Sequence, residues 1–164
     1  MSYGGTSTEK VPSLAKVIPG LEVGSGPAGG ALQGQQVIVS VPMGPPLLVD
    51  GATYKVGVFV APVNGCFIKD AWLAAPVKIA QGTNTFALDN YDKSATTARN
   101  VQSATNFDPD TVTALHGLQL TLSTTLANRQ MDKGDVLNAT LVCGTMSTAG
   151  QGYILTVVIN VPNE

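Results

Sequence analysis

The stretch 133-KGDVLNATLVCGTMSTAGQGYILTVVINV-161 decides the fold class. Its apolar residues recur at every second position, first Leu137, Ala139, Leu141 and Cys143, then Tyr153, Leu155, Val157, Ile159 and Val161. A period of two places such residues on one face of a β-strand. The intervening MSTAGQG is a turn signal, so the stretch predicts two strands closing as a C-terminal hairpin. It contains no group that looks like a catalyst. Gly134 and Asp135 of KGD read as a turn before a strand, Gly134 supplying the unusual φ and Asp135 bonding the turn's own amides, in preference to an integrin-type recognition tripeptide.

Upstream, the same period recurs. Val37, Val39 and Val41 share a face of QVIVSVP, and Tyr54, Val56, Val58 and Val60 share a face of TYKVGVFV. FIKDAWLAAPVKIA reads as a strand that Pro76 confines to an edge or a bend. QGTN at 81–84 is a turn into TFALDNY, and LQLTLST alternates with Leu118, Leu120 and Leu122 inward. Residues 90–114 read as a long polar crossing loop with a short helical turn. Seven or eight short strands with almost no helical period predict an all-β chain, an antiparallel sandwich or barrel.

Residues 1–35 differ in kind. Their glycines resist regular structure, yet VPSLAKVIPGLEV carries Val11, Leu14, Val17, Ile18, Leu21 and Val23, too apolar for a solvated linker. Pro12 and Pro19 favour an extended path over a helix. The sequence therefore divides into an N-terminal arm, 1–35, and a β-sandwich domain, 36–164. The six apolar residues of the arm need a surface to cover and are read as a partner-binding strap, packing back on their own domain being the alternative.

Composition narrows the function classes. Charged residues are 12 % of the 164, with a net charge of -2, so a Thr-, Ser- and Asn-rich surface meets little repulsion when it packs against copies or neighbours. Absence of a basic run argues against nucleic acid as partner. Without an apolar leader or a run of about 18 apolar residues, neither export nor a membrane partner is expected.

Candidate chemistry is thin. His116, the sole histidine, reads as a hydrogen-bonded structural imidazole in step with Leu118 and Leu120, and one histidine cannot build a two-His metal site. Asp89, Asp92, Asp108 and Asp110 are the best cation candidates, with solvated turn carboxylates the simpler reading. Trp72 reads as core. Cys66 and Cys143 read as free buried thiols, a disulfide between them being the alternative. No catalytic, cofactor-binding or metal residue is assigned, and no enzyme activity or cofactor is expected.

VNGCFIKDAWLAAPVKIAQGTNTFAL at 63–88 and LQLTLSTTLANRQMDKGDVLNATLVCGTMSTAGQGYILTVVINV at 118–161 resemble the small jelly-roll β-sandwich proteins of tailed-bacteriophage particles, through Asn64, Gly65, Gly82, Thr83 and residues 133–137. Among them the chain is most similar to capsid decoration, or cement, proteins. The resemblance implies a jelly-roll-like sandwich with an extended arm and a homotrimer that stabilises the capsid from outside by clamping major capsid protein. It also implies location in the virion after assembly in the host cytoplasm. A receptor-binding or fibre adhesion module of the same fold is the alternative.

Overall fold

The computed structural model describes residues 35–80, 82–94, 97–103 and 107–163. Alternating apolar residues become nine strands: β1 (Gln35–Pro42), β2 (Thr53–Val60), β3 (Cys66–Ala74), β4 (Thr85–Tyr91), β5 (Ala98–Asn100), β6 (Leu118–Gln119), β7 (Gln130–Met131), β8 (Val136–Val142) and β9 (Ile154–Val161). One helical turn, α1 (Leu126–Arg129), and a 3-10 turn at Pro109–Thr111 complete the regular structure of the described residues.

The first sheet runs β1-β9-β3-β6, with β7 also on β3, and the second runs β2-β8-β4-β5. The pairings nest, β1 with β9, β2 with β8, β3 with β6 and β7, β4 with β5, all antiparallel. A chain doubled back on itself and wound into two facing sheets is a jelly roll. The fold class is thus as the alternation and the resemblance predict; the arm residues Val11, Leu14, Val17, Ile18, Leu21 and Val23 lie outside the described residues.

The two sheets meet over one core. Ile68, Leu73, Leu155 and Ile159 of the first face Phe86, Leu88, Leu137 and Leu141 of the second, all fully buried. Each such side chain contributes about 1.5–3 kcal/mol of burial. Tyr153 is stitched in by its hydroxyl, which accepts from Ile79 N at 2.8 Å and donates to Pro109 O at 3.2 Å.

Several expectations are corrected. β8 and β9 are not a hairpin: they belong to different sheets, and MSTAGQG crosses between them. Their inward residues are buried as expected, Val161 only partly, because the same alternation serves a strand that faces its neighbour across the core and one that pairs with it. Between Gly57 and Phe59 a bulge shifts the register of β2, so Phe59 pairs with Leu137 and Val60 turns outward, 59 % exposed. β3 is an interior strand, so the edge alternative falls, and Pro76 stands just beyond it at a bend, the other place the sequence allows it. The 90–114 loop holds β5 as well as the expected helical turn. The LQLTLST strand is regular over only Leu118–Gln119, although Leu120 is buried and Leu122 bridges Gln102.

Candidate functional site

KGD forms the turn expected of it. Gly134 has φ +91, in the left-handed region that disfavours any side chain. Asp135 is buried, and its carboxylate accepts from Asp132 N at 2.8 Å and Lys93 N at 3.0 Å. Lys133 N donates to Asn64 Oδ1 at 2.8 Å, and the Lys93 ammonium donates to Lys133 O. The turn therefore knits three connections at one end of the sandwich, and the carboxylate of the tripeptide, that of Asp135, is occupied within it.

The four candidate cation ligands do not converge. Asp92 accepts from the Ser94 amide and hydroxyl and pairs with Arg99 at 2.6 Å. The Ser94 bonds, helped by the Arg99 charge, hold its carboxyl below the usual range. Asp108 caps the 3-10 turn through Asp110 N at 2.9 Å, while Asp110 accepts from Asn84 at 3.0 Å. Burial, and then the neighbouring Asp108 charge, push Asp110 upward, and burial alone raises Asp89 on β4. No group of three His, Cys, Asp or Glu able to hold a metal occurs among the described residues.

His116 and Trp72 depart from expectation. His116 is exposed on a turn, not in a strand, because the ladder of β6 begins only at Leu118. Trp72 lies half-buried on the outward side of β3, since the in-facing positions beside it are Ala71 and Leu73. Cys66 and Cys143 are free and buried, as read, and burial raises both thiols.

The outer face of the first sheet carries exposed apolar side chains and few charges. Register places Pro42, Ile154 and Ala74 in one row, Ser40, Thr156, Trp72 and Gln119 in the next, and Ile38, Val158 and Asp70 in the third. Ile38 is 66 % and Ile154 46 % exposed. Asp70 is held by Gln119 Nε2 at 3.1 Å. At the far end Arg129 fills the β3 bulge, its Nε donating to Ile68 O at 2.9 Å and Nη2 to Lys69 O at 3.0 Å, 4.5 Å over the Phe67 ring.

Charge is thus confined to one end of that face, and the other end is apolar. It continues into the loops, where Leu115, 81 % exposed with φ +65, donates its N–H to Ala75 O. Leu47, bridged to Gln151, is likewise exposed. The outer face of the second sheet is different. It shows Thr53, Lys55, Asn138, Thr140, Thr85 and Asp89, with Ala87 and Val142 among them, and its apolar residues Val60, Val136 and Tyr91 form a row at one end. Contiguous exposed apolar surface of the first kind marks interaction sites.

This surface was missed in the sequence, although a signal was present. β9 reads ILTVVINV, with Ile154 and Val158 out of step with the core set Leu155, Val157 and Ile159. A strand whose outward face carries apolar residues as well as its inward one signals a second surface to be covered.

No protein-family model matches the sequence, and no curated protein matches it. Among solved structures, a chain of the "Cyanophage Pam1 capsid asymmetric unit" is similar over 84 % of this chain and 92 % of that one, at 15 % identity and a TM-score of 0.48.

Proposed function

We propose that the chain is a non-enzymatic virion structural protein that decorates a phage capsid from outside. In this reading it binds major capsid subunits as a homotrimer, and residues 1–35 serve as a strap. The observation that carries the reading is the nearly charge-free, partly apolar outer face of the first sheet, from Ile38 and Trp72 to Ile154. Desolvating such a face costs little and returns apolar burial. The resemblance of residues 63–88 and 118–161 to decoration proteins supports it from the sequence side. Val11, Leu14, Val17, Ile18, Leu21 and Val23 add apolar contacts, which trimerisation multiplies through effective concentration.

The test is binding to capsids stripped of decoration. Ile154→Asp with Leu47→Asp alters two exposed side chains and should abolish binding while leaving the far-UV circular dichroism unchanged. A chain beginning at Gln35 should keep its melting temperature yet bind far more weakly. Binding by both variants equal to that of the parent chain refutes the reading.

A further inference from the structure

We infer that the free edge of β1 is a contact between two copies of this chain, paired antiparallel about a two-fold axis through Ile38. Among the described residues, β1 is hydrogen-bonded to β9 alone, in an uninterrupted register from Gln35↔Val161 to Pro42↔Ile154. Its other side presents a row of backbone donors and acceptors eight residues long. Sheets that must stay unpaired blunt such edges with charge, bulges or shortness.

The other edges of this sandwich are blunted and β1 is not. β2, the second long edge, carries Lys55 and the bulge between Gly57 and Phe59. β5, β6 and β7 span only two or three residues each. β1, QQVIVSVP, has no charge, no bulge and no proline before its last residue. Its inward residues Val39 and Val41 pack on the core yet stay partly exposed.

A second copy is the occupant that fits. The short edges offer too little ladder for a head-to-tail pairing, whereas β1 against itself bonds seven residues. The pleat allows only registers that keep outward residues outward. An axis through Ile38 sets Ile38 opposite its copy, Val37 opposite Val39, and Gln36 opposite Ser40, and leaves Pro42 outside the ladder. The apolar stretch of residues 1–34 is a poorer ladder partner, because Pro12 and Pro19 lack donors and Lys16 and Glu22 would meet an uncharged strand.

The contact does not depend on the capsid reading and is measured without capsids. Within a trimeric assembly it would join copies of different trimers. Light scattering of the full chain should give an even number of copies. Ile38→Lys sets like charges face to face and should halve that mass at an unchanged melting temperature. In Ile38→Cys the paired Cα atoms sit about 4.5–5.5 Å apart, within disulfide reach, so mild oxidation should yield a covalent dimer. Lys55→Cys on the β2 edge should yield none, and Cys66 and Cys143 are buried and do not interfere. An odd copy number indifferent to Ile38→Lys, a fall to one third, or a monomer whose β1 amides are nonetheless protected from exchange overturns the proposal, as does failure of Ile38→Cys to cross-link.

Discussion

Replacing Asp135 by Asn tests whether the KGD turn is structural. The two side chains have nearly the same shape, so the change isolates hydrogen bonding. The carboxylate accepts from Asp132 N at 2.8 Å and Lys93 N at 3.0 Å from a buried position. Hydrogen bonds to a charged acceptor contribute about 1.5–3 kcal/mol each. Asn keeps one oxygen, now neutral, and turns an NH2 group toward the second N–H. One bond is weakened and one part-buried donor is orphaned, at about 1–3 kcal/mol for the latter. The expected loss is about 2–4 kcal/mol, or roughly 8–16 °C in melting temperature at about 4 °C per kcal/mol for a domain of this size. Urea unfolding followed by circular dichroism should show a lower midpoint at an unchanged slope. Asn64→Ala, which removes a single exposed bond to Lys133 N, should cost only about 0.5–1.5 kcal/mol. A loss below about 0.5 kcal/mol for Asp135→Asn would refute the argument and return KGD to the status of a surface tripeptide.

Glycine substitution should separate backbone strain from crowding: Gly51→Ala, at φ +70 with nothing within 4 Å, costs about 1 kcal/mol, whereas Gly82→Ala, at φ +127 with its new Cβ 1.9 Å from Thr145 O, costs about 3–5 kcal/mol. Equal thermal shifts for the two would defeat this. Burial pushes the Tyr153 phenol up to about 12 from 10.0, so the unfolded chain ionises first and stability falls, on the order of 2 kcal/mol, as pH rises from about 10 to 12. Tyr153→Phe should flatten that decline in denaturant titrations; an unchanged slope counts against it. Trp72→Ser on the outer face should shift stability far less than Leu73→Ala on the inner one, for which about 2–5 kcal/mol is expected; similar losses would mean that Trp72 is core.

The alternation of Leu137, Ala139 and Leu141 and of Leu155, Val157 and Ile159 was enough to name strands, their buried faces and an all-β sandwich, because period two is a property of a single strand and its one apolar side. Gly134 and Asp135 were legible for a similar reason: a tight turn satisfies its amides within a few residues. Partnership was not legible. Whether β8 pairs with β9 or faces it across the core depends on the winding of the whole chain, and both arrangements bury the same residues. The bulge that turns Val60 outward, the interior position of β3 and the outward Trp72 depend likewise on register with strands distant in sequence. So does the candidate surface: Ile38, Trp72 and Ile154 lie far apart along the chain and become one face only when β1, β9 and β3 lie side by side. Local periodicity is written in neighbouring residues, whereas a surface is assembled by long-range pairing, and only the tertiary structure decides it.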